Sequence, residues 1–191
     1  MSLRRAVLLA GCLGMAACAS VSPARLPGRE EVRDFALEAR FALRITLPEQ
    51  AANSSGGRLS WEHRNGDDHL LVANPLGVGM AEIDIAPGHS RLRTADGKSR
   101  ESADADALME DVTGQSLPIT RLPAWLLGKA APTTPVEKDA SGRPRRFVEA
   151  GWKIDYAYGD DTVGALPVGL VLSRDQEIEL RLRIEEWREA P

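Results

Sequence analysis

Hydrophobic residues alternate with polar ones over much of this chain, as a half-buried β-strand requires, because successive side chains leave opposite faces of the pleat. The clearest stretch lies near the C-terminus, where Ile178, Leu180, Leu182 and Ile184 interleave with Glu179, Arg181, Arg183 and Glu185. A second sets Phe41, Leu43, Ile45 and Leu47 against Ala42, Arg44 and Thr46 and stops at Pro48. Shorter runs follow at Leu59 and Trp61, Leu70 to Ala73, Val78 to Ile85, Arg91 to Thr94, Phe147 to Tyr158 and Leu166 to Ser173. Elsewhere the spacing is helical. Over Glu30 to Ala39 the residues Val32, Phe35, Ala36 and Ala39 predict a short amphipathic helix. Ser102 is placed to cap a helix with the stripe Ala105, Leu108, Met109 and Val112, ended by Gly114. Pro123 opens a short turn carrying Trp125, Leu126 and Leu127, closed by Gly128. Residues Lys129 to Arg146, with Pro132, Pro135, Gly142 and Pro144, read as the longest irregular loop. Short connections between strands predict antiparallel meanders, and helices in mid-chain predict a cover over one face of a curved sheet. The fold class is mainly β with an α cover.

The first residues do not belong to that domain. Arg4 and Arg5 precede an uncharged apolar run from Ala6 to Cys18, the pattern of an export signal, and the stretch is too short for a spanning helix. Without those two arginines the formal charge of −4 becomes −6, an acidic balance that argues against nucleic acid as a partner. Cys12 and Cys18 are the only cysteines, so no disulfide framework or thiolate metal site is available to the exported body. Both close a small apolar quartet of the kind that marks a lipidated cysteine. Leu9-Ala10-Gly11-Cys12 leaves too short an apolar core, whereas Met15-Ala16-Ala17-Cys18 leaves one of normal length, so Cys18 is the expected lipidation site. Cys12 as the lipidated residue and a plain cleaved signal without lipid are the remaining readings. Residues 1–17 are then the signal, 18–28 a lipidated tether rich in Ser, Pro and Gly, and 29–191 one domain.

Catalytic chemistry finds little to work with. No G-x-S-x-G elbow occurs, and His63, His69 and His89 fall in separate strand or turn segments, read as surface or strand-edge residues. Gly97-Lys98-Ser99 imitates the end of a phosphate loop, but Leu92 stands where its first glycine is required. Asp104-Ala105-Asp106 reads as acids at a helix N-terminus rather than half a calcium loop. No enzyme, cofactor or metal is expected, and the chain is expected to act as a monomer.

One feature departs from a plain β domain. Asn74-Pro75-Leu76-Gly77 suits a type I turn between two apolar runs, which puts Leu76 at a solvent-facing corner where it is either covered by a neighbour or meant for something apolar outside.

Several segments taken together, Arg40-Phe41, Gly57-Arg58-Leu59-Ser60-Trp61, Asn74-Pro75-Leu76-Gly77, Leu117-Pro118-Ile119 with Leu122, Trp125, Leu126 and Gly128, Gly151-Trp152 with Tyr156, Leu166-Pro167 and the closing Trp187, resemble the LolB family of outer-membrane lipoprotein receptors. The resemblance covers roughly Phe35 to Trp187. It implies an incomplete antiparallel β-barrel, a half-barrel with a helical lid over an apolar cavity that accepts acyl chains. It implies, too, a receptor anchored on the periplasmic face of the outer membrane, taking client lipoproteins from the soluble periplasmic carrier LolA and releasing them into the inner leaflet of that membrane. The hairpin Asn74, Pro75, Leu76 and Gly77 takes the membrane-inserting role in this resemblance. Candidate cavity lining on the strands is Phe41, Leu43, Ile45, Leu59, Trp61, Trp152, Ile178, Leu180 and Leu182, with Trp125 and Leu126 from the helical cover. A carrier of glycolipid or another amphiphile, or a structural envelope lipoprotein without ligand, are the alternatives, since a half-barrel does not name its ligand.

Overall fold

The computed structural model describes residues 26–46 and 51–191. The signal, Cys12, Cys18, most of the tether and Leu47 lie outside the described residues. In chain order the elements are β1 Phe35–Ile45, β2 Asn53–Arg64, β3 Asp67–Ala73, β4 Gly79–Ala86, β5 His89–Thr94, β6 Ser99–Ser102, α1 Ala105–Thr113, α2 Leu122–Leu126, β7 Val136–Lys138, β8 Pro144–Glu149, β9 Trp152–Ala157, β10 Gly169–Arg174 and β11 Ile178–Arg188.

The strands form one antiparallel sheet in the order β6-β5-β4-β3-β2-β1-β11-β10-β9-β8-β7. Strands adjacent in the sheet are consecutive in sequence except β1 and β11, which join the two meanders at the middle, while β6 and β7 lie at opposite edges. Both helices fall between the two edge strands in sequence, and α1 lies against β5 and β6. This is an open, incomplete barrel, mainly β with a helical cover. Each strand pairs with its neighbours in that order, and Leu26, within the stretch read as tether, packs against the core.

Register explains the alternation. Trp61 faces Leu37 and Leu70, which in turn faces Ile83; Leu59 faces Ala39 and Val72. Further along, Phe41 faces Leu182 and Leu43 faces Leu180, continued by Leu170 and Leu172 on β10 and by Tyr156 and Ile154 on β9. These rows make one apolar inner face. Trp125 and Leu126 of α2 are fully buried, and the Tyr156 hydroxyl donates to the Trp125 carbonyl at 2.7 Å, tying helix to sheet. Burial pushes the Tyr156 phenol far above its usual value, so it remains a donor.

Several expectations change. The segment Glu30 to Ala39 is not a helix: Phe35 onward is β1, preceded by a turn in which the Glu31 and Val32 amides donate to the Gly28 carbonyl. Phe35, Ala36, Leu37 and Ala39 are all buried, so the period of two is lost there and the spacing imitates a helix. Phe147 to Tyr158 is two strands, not one, split by a two-residue turn in which Ala150 and Gly151 both have positive φ. The expected irregular loop Lys129 to Arg146 holds the β7–β8 hairpin, pinned by Arg143. That residue is buried, bonded to Asp139 at 2.7 Å and stacked 4.2 Å from the Tyr158 ring centre. The short strand β6 also escaped the pattern. Helix α1 is capped by Asp104, not Ser102: Asp104 accepts from the Asp106 and Ala107 amides while Ser102 supports the Asp104 amide. Gly114 closes the helix as expected, with φ 69°.

Gly57 is required by a close approach. A Cβ there would sit 2.0 Å from the Ala73 carbonyl oxygen and 3.1 Å from the Phe41 ring. Gly57→Ala is therefore expected to push β3 off β2 at the base of the following hairpin and to cost roughly 1–3 kcal/mol, as overpacking does. A thermal unfolding curve matching the parent would count against that close approach.

Candidate functional site

The β3–β4 connection forms itself from local chemistry. The Gly77 amide donates to the Asn74 carbonyl at 2.9 Å, and the Asn74 side-chain oxygen accepts from the Leu76 and Val78 amides at 2.9 and 3.0 Å. Pro75 presets the turn, and Gly77 takes φ 87°, which a residue with a side chain adopts poorly. Because these bonds close on the turn itself, no neighbouring element is needed to hold it. Every residue from Pro75 to Met80 is exposed, with Leu76 at 90%, Val78 at 61% and Met80 at 49%. Leu71 on β3 adds a further exposed apolar side chain. The sequence points to Leu76; of the run Val78 to Ile85 read as a strand, Val78 lies before β4 and Met80 lies on it. On β4 the inward places go to Ala81, Ile83 and Ile85, so alternation sends Met80 outward, and the register shift that pairs Ala73 with Gly79 leaves it without a facing residue on β3. Asn74→Ala should remove two side-chain bonds, worth roughly 0.5–1.5 kcal/mol each at most. Amide exchange at Leu76 and Val78 should then accelerate while the sheet core stays protected; unchanged exchange would mean that Asn74 does not hold the turn.

All nine strand-borne lining candidates lie on the inner face. Leu59, Trp61, Trp152, Ile178 and Leu182 are buried in the core, as are Trp125 and Leu126 from α2. Phe41, Leu43, Ile45 and Leu180 are only partly buried. Their partial exposure has a sequence cause. Opposite Phe41, Leu43 and Ile45, strand β2 presents Gly57, Ser55 and Asn53, too small or too polar to cover them. The structure thus does not gather the eleven around one cavity. Large side chains fill the base of the half-barrel, as close packing favours, and an incompletely covered apolar strip remains toward the β1–β2 end.

A separate cavity of about 710 Å³ lies at the other end of the strands, where Ile85, Ala105, Ala124 and Leu127 meet Arg33, Lys129 and His63. None of the eleven candidates lines it. Burial, with the charge of Arg33 close by, lowers the Lys129 ammonium below its usual value, and its Nζ donates to the Val32 carbonyl at 2.6 Å. Asp68, only 7% exposed, accepts from the Trp61 indole N–H at 2.7 Å and is bonded to His63 Nδ1 at the same distance. His63 in turn stacks on Phe35. His63 is thus held inside a network and not at a strand edge, and nothing in the sequence marks Asp68, because an acid beginning a strand after a polar turn gives no sign that a tryptophan will cover it. On the opposite meander Glu149 accepts from the Ala131 amide at 2.7 Å and from Arg121. Burial alone would raise its carboxyl, but those bonds outweigh it and hold it below the usual value.

On the outer face His69, Glu82 and Asp84 lie close together, and Arg93 and Arg91 occupy the two carboxylates, at 2.7 Å from Glu82 and 3.3 Å from Asp84. That arrangement is a cross-strand ion network of balanced charge.

The family model described as "LolB: Outer membrane lipoprotein LolB" matches residues 33–187, nearly the whole of the described domain. The chain belongs to the LolB family. An outer-membrane lipoprotein LolB from Dechloromonas aromatica is 56% identical over 191 residues, covering all of both chains. One from an Azoarcus species is 33% identical over 183 residues, covering 94% of this chain and 91% of its own. Among solved structures, a putative outer membrane lipoprotein-sorting protein domain from Vibrio parahaemolyticus superposes with a TM-score of 0.51 at 12% identity. That match covers 84% of this chain and 87% of the other, and it shows a shared fold. The LolB family and the open barrel agree with the half-barrel that the sequence resemblance implied.

Proposed function

We propose that this chain is an outer-membrane lipoprotein, facing the periplasm, that accepts lipoproteins from the soluble carrier LolA by their acyl chains and inserts them into the inner leaflet. The observation that carries this reading is the pairing of two apolar features on one LolB-family domain. One is the strip at Phe41, Leu43 and Leu180 that the fold leaves partly uncovered; the other is the hairpin that holds Leu76 bare in water. An apolar strip gives acyl chains a place to displace water, and a bare leucine gives the bilayer a point of entry. No nucleotide is needed if each holder, carrier then receptor then bilayer, keeps the chains better than the last.

Cys18 supplies the anchor in this reading. Two or more acyl chains, each buried CH₂ contributing about 0.8 kcal/mol, hold a protein stably on a membrane. Cys18→Ser should give an unprocessed precursor without palmitate label, whereas label lost in Cys12→Ser instead would move the anchor.

The test is a transfer assay. The chain from Ala19 onward, shown to be folded by circular dichroism, is mixed with carrier loaded with a triacylated lipoprotein, and the lipoprotein is followed by affinity capture. Movement of cargo to the domain is expected. A folded domain that takes none removes acyl acceptance from the reading. Depletion of the protein in cells should leave other lipoproteins in the periplasm; undisturbed localisation would favour a structural lipoprotein or a carrier of a different amphiphile.

A further inference from the structure

Three arginines stand directly opposite one another across the middle of the sheet. Arg58 on β2 pairs with Arg40 on β1, and Arg40 pairs with Arg183 on β11. Alternation puts all three on the outer face, and all three are exposed. Like charges placed opposite each other weaken a sheet, so the row needs an explanation outside local packing. Only Arg40 is neutralised, by a 2.6 Å ion pair with Glu185. Among the described residues no acid pairs with Arg58 or Arg183, and the nearby acids are taken: Glu179 by Arg181 and Glu38 by Arg188. The patch is basic within a chain of net charge −4.

Its position tells what it meets. Arg58 lies opposite Ala73, the residue before the Asn74 turn, and Leu71, exposed on the same outer face of β3, is its diagonal neighbour. The row therefore runs into the hairpin that exposes Leu76, Val78 and Met80. At its other end Gly169 follows Arg183 and has no side chain, and Arg40, Arg181 and Arg183 rim a shallow hollow of about 370 Å³.

We propose that Arg58, Arg40 and Arg183 form a phosphate-binding stripe that seats the outer face of the sheet, beside the hairpin, on an anionic phospholipid surface. The proposal deepens the reading of the hairpin as membrane-facing and rests on it. Guanidinium groups bind phosphate oxygens through paired N–H donors. A basic row flanking exposed apolar side chains is the combination by which a protein lies at a lipid interface. An acidic protein partner would match the arginines but would leave the bare Leu76 beside them unexplained. A like-charge row across adjacent strands is stabilised when phosphates lie between the guanidiniums.

The test compares the folded chain from Ala19 onward with Arg58→Gln/Arg183→Gln, which spares the Arg40–Glu185 pair. Binding is measured by co-sedimentation with vesicles of phosphatidylcholine alone and with added phosphatidylglycerol, at two salt concentrations. The parent should prefer the anionic vesicles and lose that preference in high salt. A basic residue near such a surface contributes roughly five-fold in affinity, so the double variant should lose on the order of thirtyfold toward anionic vesicles and little toward neutral ones. Its melting temperature should stay level or rise, because a repulsion has been relieved. Parent-like binding of the double variant to anionic vesicles, or a parent that treats both vesicles alike, would overturn the proposal. Soluble polyglutamate that displaces the parent from anionic vesicles would assign the stripe to an acidic polypeptide and overturn it as well. Leu76→Glu separates the two readings: it should weaken binding to both vesicles while keeping the preference for the anionic ones. Parent-like binding of Leu76→Glu to neutral vesicles would sink the hairpin reading, whereas loss of the anionic preference in the arginine variant would still support the stripe.

Discussion

Leu76→Glu is expected to leave folding intact and stop lipoprotein release. The side chain is 90% exposed at the corner of a turn held by its own backbone and Asn74, so it contributes no packing that a carboxylate would lose. Surface substitutions of this kind stay within about ±0.5 kcal/mol, and the melting temperature should barely move. Acceptance from the carrier should also persist, because the partly covered strip at Phe41, Leu43 and Leu180 lies on other strands. The loss should fall on the last step. A carboxylate entering the acyl region costs several kcal/mol unless it is neutralised or paired, roughly 2–4 even when hydration defects relieve it. Transfer into liposomes should therefore slow by about 30-fold or more. Leu76→Met and Leu76→Phe should retain transfer, since only apolar character is asked of the tip. Early melting, or transfer at the parent rate, would take Leu76 out of the mechanism.

Trp61→Ala should have the largest effect on stability. Trp61 is 1% exposed, faces Leu37 and Leu70 in the central row, and donates its indole N–H to the buried Asp68. Removing a buried Trp costs roughly 3–5 kcal/mol through lost transfer energy and the cavity left behind. For a domain of this size each kcal/mol lowers the melting temperature by about 2–4 °C, so a fall on the order of 10 °C is expected. Asp68→Ala isolates the polar part. It leaves the indole N–H without its acceptor and should cost roughly 1–3 kcal/mol, while Asp68→Asn, which keeps a carbonyl oxygen, should recover much of it. If Asp68→Ala melts with the parent, the bond is not part of what holds the base of the half-barrel.

How much of this was legible follows from the range of the interactions involved. Alternation predicts strands because the pleat sends neighbours to opposite faces, so Ile178, Leu180, Leu182 and Ile184 announced β11 without any partner being known. The Asn74-Pro75-Leu76-Gly77 turn was legible for the same reason: each bond that makes it lies within five residues, and a solvated corner needs no neighbour. The sequence also carries the small residues Gly57, Ser55 and Asn53 that leave Phe41, Leu43 and Ile45 partly bare, but their meaning depends on register.

What only the tertiary structure decided involves pairings distant in sequence. Phe35 to Ala39 becomes a strand because β11, 145 or more residues away, pairs with it and the surrounding packing buries consecutive residues, erasing the alternation a single sequence can display. The arginine row exists only because β2 and β11 flank β1 in one register; in sequence Arg58, Arg40 and Arg183 are unrelated. Asp68 is an ordinary acid near a strand end until Trp61 and His63 pack over it. Local geometry and solvation were therefore set by the sequence itself, because turns and pleats are completed within a few residues. Burial on both faces, charge neighbourhoods and the uncovered apolar strip were set by the fold, because each is a sum over strands that the chain brings together only once the sheet has formed.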